Sequence, residues 1–402
     1  MPQDSGVGDM AGRKDRTAVD SARAITAPPR LVASREDYAA LLEELRQEPV
    51  LAVDTEAASF HRHANRIYLI QVSTPRETAI VDPLAITDLG GLGALLADPA
   101  VEVVFHDADY DLRLLDQHYG IRVANLFDTR IAAELLNEPG LSLAALLDKY
   151  LDVQVDKRFQ RADWSQRPLS DEMLAYAAGD TRHLVTLRDL LAARLEDAGR
   201  TTWAREEFRL LEQVRWTRDG EREPPFLRVK GAKALQPRQL AILREVHAWR
   251  AGLAERLDRA EFRILGNEPL LTLAREAPTA LDELAAIRGI GRETVQRRGR
   301  AILAAIRRGL RVPTRELPCV ERPPRREREP EVEARLARLK TARTRVADTL
   351  GLAPGVVCPN SLLEAIARQL PQDLEGLAGV DGIRRWQVDT FGRDLLDALK
   401  TP

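Results

Sequence analysis

The chain has 402 residues, of which 44% are hydrophobic, 30% charged and only 5% aromatic, with 60 Lys+Arg against 62 Asp+Glu and a net charge of −2. At roughly 100–200 residues per domain this length suggests two or three domains, and the apolar fraction excludes a wholly disordered protein. Two cysteines (Cys319, Cys358) and six scattered histidines exclude a disulfide framework and a zinc pattern. No run approaches about 18 apolar residues, and the N-terminus lacks the apolar stretch of a secretion signal, so the cytoplasm is the expected compartment and no membrane contact is expected.

The balanced total hides a polarity. Residues 36–199 carry 15 Lys/Arg and 29 Asp/Glu, a net of −14, whereas residues 288–345 carry 18 and 7, a net of +11. A body that concentrates carboxylates is joined to one suited to attracting polyanions.

In chain order, residues 1–28 are small, polar and Gly-bearing, and read as a disordered tail. PVLAVDTE (49–56) is the first firm strand, followed by strand-like RIYLIQVS (66–73) and ETAIVD (77–82), a helix near 88–97 and the strand VEVVF (101–105). Helices are predicted at 111–120, 129–137 and 142–151, with a short strand near 125–128 between them. One long amphipathic helix is predicted over 171–198, with Ser170 as its N-cap and Gly199 beyond its end. This is an α/β pattern with a mixed sheet. After about residue 230 no strand signal survives, and two helical blocks flank RVPTRELPCVERPPRREREPEVE, a stiff Pro/Arg/Glu-rich linker. The blocks repeat one plan, each ending in a Gly-containing hairpin: LAAIRGIGRETVQRRG (284–299) and LAGVDGIRRWQVDTFG (377–392).

Three places carry acids in patterns that invite chemistry. Asp54 and Glu56 stand two apart on a strand and therefore share a face. Tyr176 and Asp180 lie four apart on a helix, in LAYAAGDTRHL. VVFHDADYDLRLL (103–115) runs from strand to helix through Asp107, Asp109 and Asp111, of which one or two are explained by helix capping alone. Each pattern by itself is common.

Together they resemble the DEDD superfamily of 3′–5′ exonucleases, in the subclass with Tyr in its last motif. The flanking text, LAVDTE…IYLIQVST, VVFHDADYDLRLL, FDTRIAAELLN, SLAALLDKYLDVQVDK and DWSQRPLSDEMLAYAAGDTRHLVTL, is similar to ribonuclease D in order and spacing. The rear blocks resemble HRDC domains, the helical modules that follow the nuclease in that family. The resemblance implies an RNase H-like α/β catalytic domain at 29–215, HRDC-like all-α domains at 230–312 and 331–402, and a linker at 313–330. It also implies two divalent cations, Mg²⁺ or Mn²⁺, held by Asp54, Glu56, Asp111 and Asp180, with Tyr176 orienting the attacking water. Asp111 is preferred over Asp107 and Asp109 because the following DL matches the family pattern. An all-oxygen donor set suits these hard cations, and a pair about 3.5–4 Å apart can activate water and stabilise the leaving 3′ oxygen.

The activity so implied is 3′–5′ exoribonuclease action on RNA with a free 3′ end, such as tRNA or stable-RNA precursors, by a monomer releasing nucleoside 5′-monophosphates. The same chemistry on DNA, or a catalytically silent nucleic-acid-binding scaffold, are the alternatives. Gln71 and His106 are further candidates to line the site. Gly289 and Gly291, at a helix start followed by Arg292, Arg297 and Arg298, are candidates for receiving a phosphate. The second hairpin carries Asp381 and Asp389 and is expected to bind weakly or to pack against the nuclease domain.

Overall fold

The computed structural model describes residues 27–217, 223–320 and 329–400. Most of the expected tail, and residues 321–328 of the expected linker, lie outside the described residues. The front half is built on a six-stranded mixed sheet: β1 Arg30–Val32, β2 Val50–Ala57, β3 Ile67–Ser73, β4 Thr78–Val81, β5 Glu102–Phe105 and β6 Leu126–Asp128. Their order is β1-β4-β3-β2-β5-β6. The β2–β3 and β3–β4 pairs are antiparallel and the other three parallel. Every residue of β3 and β4 is buried, which is why both read as continuous apolar runs. Strand β1 and helix α1 (Arg35–Leu45) go beyond the sequence-based prediction, yet α1 has its signals: Ser34 accepts the Asp37 N–H, and Tyr38, Leu41, Leu42 and Leu45 bury one face.

Helices α2 (Gly90–Leu96), α3 (Asp109–Tyr119), α4 (Thr129–Leu135) and α5 (Leu143–Leu151) follow the predicted segments. The single helix predicted over 171–198 is instead two, α6 (Asp171–Gly179) and α7 (Leu184–Asp197). Ser170 caps the first as predicted, accepting the Met173 N–H. The break has a tertiary cause. Thr181 is fully buried and its hydroxyl lies 2.7 Å from that of Ser73 on β3, so the sheet draws the chain out of the helical path. Gly179 therefore ends a helix instead of interrupting one, and the space beside it is open. Close packing falls to Ala177 and Ala178, fully buried in one cluster with Tyr68, Leu69, Ile80 and Trp164. Helix α8 (Thr201–Leu211) closes the front half.

The rear half repeats one helical plan. The first copy comprises α9 (Pro237–Leu257), α10 (Glu261–Ile264), α11 (Asn267–Glu276), α12 (Leu281–Ala286) and α13 (Arg292–Arg311). The second comprises α14 (Pro330–Leu350), α15 (Pro354–Val357), α16 (Asn360–Gln369), α17 (Leu374–Ala378) and α18 (Arg385–Lys400). In both, the turn into the last helix holds a glycine in the left-handed region, Gly289 at φ +90° and Gly382 at φ +86°, where a Cβ is costly. At Gly289 a Cβ would also meet Pro269 Cγ at 2.6 Å.

The two copies differ in where their cores lie. The first has an apolar core of its own, including Leu243, Val246, Leu270 and Ile306. That of the second is continuous with the core of the front half. At this joint Trp203 of α8 stacks on Trp386 of α18, with centroids 4.5 Å apart and rings at 18°. Glu207 accepts from Trp386 Nε1 and from Arg384, each at 3.0 Å. Among the described residues no helix is long and apolar enough to cross a membrane.

Candidate active site

Strand β2 delivers Asp54 and Glu56 to one face, and the ladder to β3 shifts register between Glu56 and Ala57, a bulge of the kind that re-aims side chains beside reactive sites. Asp180, the residue that caps α6, completes a triplet: one ligand oxygen from each of Asp54, Glu56 and Asp180 lies within 4.8 Å of the others. Asp111 approaches from α3, buried, with Oδ1 accepting from the Thr55 hydroxyl. It stands outside the triplet, and its charge adds to the repulsion on Asp54.

The three aspartates of the strand-to-helix turn are sorted by their surroundings. Asp107 is exposed, sits at φ +66° and lies 3.6 Å from Arg130. Asp109 is exposed and pairs with Arg113 at 2.7 Å. Only Asp111 joins the buried carboxylates. The turn that aims it is held by Asp128, fully buried at the end of β6, whose carboxylate accepts the N–H groups of Asp107 (3.2 Å), Ala108 (2.8 Å), Arg130 (2.8 Å) and Ile131 (3.1 Å). Asp128 is absent from the sequence-based site, although an Asp between a short strand and a helix is a capping signal; its long-range partners at 107 and 108 had none.

Electrostatically the pocket is under strain. Burial, then the charges of Asp111, Asp180 and Glu56, push the Asp54 carboxyl well above its usual range. Burial, then Asp180 and Asp111, do the same to Glu56. Burial pushes Asp111 and Asp180 up to about 7. No cation stands among the leading influences on these four carboxyls. Such a set is costly as anions unless cations join it. Four oxygen donors without sulfur or imidazole suit hard divalent ions, and the residues fit that group.

Tyr176 stands at the same pocket, half-buried between Phe159 and Trp164, each ring centroid 5.9 Å away. Burial and the charges of Asp180, Glu56 and Asp54 raise its pKa, so its hydroxyl stays protonated. Gln71 is the register partner of Asp54 on β3 and shares its face. It is fully buried, and both of its amide atoms lack a partner among the described residues. An orphaned amide behind a carboxylate cluster is a second sign that the cluster takes a guest. His106 stands at the end of β5. Its Nδ1 shares a 2.9 Å hydrogen bond with the Thr129 hydroxyl, burial holds its pKa down to about 4, and its charged neighbours are Asp107 and Arg130.

The hairpin candidates lie on the first helical module. Gly291 is the N-cap of α13, Arg292 and Arg297 are exposed, Arg298 is half-buried, and Arg297 pairs with Glu293 at 3.0 Å.

Comparison with known proteins agrees with this arrangement. A 3′-5′ exonuclease family model matches residues 29–196, and the HRDC domain model matches twice, at 239–306 and 332–399. Ribonuclease D of Gluconacetobacter diazotrophicus is 33% identical over 375 residues, covering 92% of this chain and 93% of that protein. The structure of Escherichia coli RNase D, described as an exoribonuclease involved in structured RNA processing, superposes with a TM-score of 0.66 at 25% identity, covering 93% of this chain and 99% of that one. The catalytic core of RRP6 from Trypanosoma brucei superposes with a TM-score of 0.63 at 29% identity, covering 71% and 80%. On these matches, and on the sheet, acidic pocket and paired helical modules they accompany, the chain belongs to the ribonuclease D family of 3′–5′ exoribonucleases.

Proposed function

We propose that the protein shortens structured RNAs, such as tRNA or stable-RNA precursors, from a free single-stranded 3′ end, acting as a monomer with two Mg²⁺ or Mn²⁺ ions and releasing nucleoside 5′-monophosphates. The observation that carries this reading is the carboxylate cluster: half-buried Asp54, Glu56 and Asp180 with ligand oxygens within 4.8 Å of one another, and buried Asp111 beside them. Asp54, Glu56 and Asp180, with Asp111 beside them, would hold the cations. Bound there, the cations supply water activation and stabilise charge on the leaving 3′ oxygen.

The other residues position. Phe159 and Trp164 fix the Tyr176 ring, so its O–H is a preorganised partner for the attacking water or the scissile phosphate. Thr55 holds one oxygen of Asp111 and leaves the other for the pocket. Gln71 steadies the Asp54 carboxylate from behind once the pocket is filled, the usual duty of a group behind a ligand. The hairpin of the first module, with the N–H groups after Gly291 and the side chains of Arg292, Arg297 and Arg298, receives phosphates of the substrate; Gly289 permits its turn.

The test uses 5′-labelled single strands of equal sequence, one RNA and one DNA, with Mg²⁺ or with EDTA. A metal-dependent ladder that shortens from the 3′ end on RNA supports the reading. Equal laddering on DNA assigns a broader substrate. Binding of both without cleavage overturns the catalytic assignment.

A further inference from the structure

Phe60, Tyr110, Trp216 and Phe262 are the aromatic residues among the most exposed large hydrophobics of the described residues, and three of the four meet at one loop. Phe60 lies in the segment that leaves β2 after Glu56. Phe262, on α10 of the first helical module, packs edge-on against it with centroids 6.1 Å apart and rings at 76°. Tyr110, the neighbour of Asp111, donates its hydroxyl to Asn65 of the same segment at 2.8 Å. Phe60 is 45% exposed and Phe262 51%, so each ring keeps much of its surface open. Two arginines accompany them: the Arg161 guanidinium lies 5.2 Å from the Phe60 centroid and that of Arg263 6.0 Å from the Phe262 centroid.

This cluster is close to the acidic pocket. Four residues of chain separate Phe60 from Glu56, which limits the Cα separation to about 14 Å. Ala58 lies in the apolar cluster that Tyr176 packs against, and Arg161 lies between Phe159 and Trp164, the two rings that hold Tyr176. The backbone is braced across the domain joint: Arg263 donates to the Phe60 carbonyl at 2.6 Å, the Ala260 N–H to the His61 carbonyl at 3.1 Å, and the His63 N–H to Asp258 at 3.2 Å. A contact made only to join two domains would bury its rings, as the joint of buried Trp386 with half-buried Trp203 largely does. Here the polar links hold the joint and the rings stay open.

We infer that Phe60 and Phe262, with Arg161 and Arg263 beside them, form a stacking platform for bases of the single strand two or more nucleotides 5′ of the one being removed, a stretch that a dinucleotide lacks. Open aromatic faces flanked by guanidinium groups suit single-stranded nucleic acid, because every base offers a π-face and every linkage a negative charge. The inference rests on the RNA reading for which strand arrives, and it gives the first HRDC module a direct part in holding it.

The test separates the two. Binding of a 5′-fluorescein single-stranded RNA decanucleotide is measured by anisotropy in EDTA, where no hydrolysis depends on the pocket, for the wild type, Phe60→Ala, Phe262→Ala and their Trp counterparts. Hydrolysis of the decanucleotide and of a dinucleotide is measured with Mg²⁺. Each Ala variant is expected to weaken decanucleotide binding on the order of tenfold, to raise KM in step with kcat within about twofold, and to leave the dinucleotide unaffected; Trp restores binding. Unchanged affinity in both Ala variants, or an equal loss on the dinucleotide, overturns the platform and leaves the rings a packing role. A wild type that binds through these rings but cleaves neither substrate overturns the catalytic reading and keeps the platform.

Discussion

The two HRDC modules share a plan and spend it differently. The first keeps its own core and meets the nuclease domain through a polar joint beside the pocket. The second is fused into the nuclease core through the Trp203–Trp386 stack. Their hairpins show why. Residues 284–299 carry four Arg and one Glu, whereas residues 377–392 carry two Arg and two Asp. At the second hairpin the start of α18 already has an anion: Glu206 accepts the N–H groups of Arg385 (2.5 Å) and Trp386 (2.9 Å), while Arg384 is paired with Glu207. The module's helix N-terminus receives a carboxylate of its own chain there. At the equivalent start of α13 in the first module, no side chain among the described residues caps the helix. One fold thus serves as a docking wedge in one copy, and in the other leaves an Arg-rich hairpin for the substrate contact proposed above.

The largest test of this contrast is Trp386→Ala. Losing a buried indole stacked at the joint should cost about 3–5 kcal/mol, read as a lower urea midpoint, with kcat unchanged for the folded fraction. A similar loss from Phe262→Ala, expected below about 1 kcal/mol for so exposed a ring, would erase the distinction between the modules.

At the pocket, sorting of the aspartates gives the next effect. Asp111→Ala should lower kcat/KM on the order of a hundredfold or more, and Asp107→Ala or Asp109→Ala by less than about threefold; equal losses at all three would undo the assignment of Asp111.

A smaller effect is thermal and pH-dependent. Asp111 and Asp180 are raised from 3.8 to about 7 by burial. A carboxyl whose folded pKa lies above its unfolded one adds stability below the unfolded value and loses it as pH rises through the folded one. In EDTA the melting temperature should therefore fall by several degrees between about pH 4 and pH 7. The fall should flatten in Asp111→Asn/Asp180→Asn and on adding Mn²⁺; a profile indifferent to both changes would remove the cation pocket.

The smallest is Asp258→Ala, which releases Arg62 and the His63 N–H at the polar joint. An exposed pair of this kind is worth under about 1 kcal/mol, so the melt should barely move, while KM for a long single strand rises modestly as the platform loosens. A melt as damaged as that of Trp386→Ala would show that both modules are structural.

Much of this was legible in the residues. Buried strands announce themselves as unbroken apolar runs, so β2, β3, β4 and β5 were readable. Ser170 announced a helix start because a hydroxyl three residues before a free N–H is a local device. The misread helix at 171–198 marks the limit. Nothing between 180 and 183 breaks helix propensity strongly; a hydroxyl contact between Thr181 and Ser73, more than a hundred residues apart, does. Gln71 shows the same limit: its place beside Asp54 follows from strand register, but its complete burial depends on what packs over it.

The sequence by itself determined the order of elements and the tandem repeat, because these follow from local periodicity, and through the resemblance of its motifs it pointed to the family and the candidate carboxylates. Only the tertiary structure decided which of three neighbouring aspartates is buried, that Asp128 holds their turn, that one HRDC module is welded to the nuclease while its twin stays distinct, and that Phe60 and Phe262 meet beside the pocket. Each of those outcomes is a contact between segments far apart in the chain, and burial and charge coupling are properties of such contacts rather than of any residue alone.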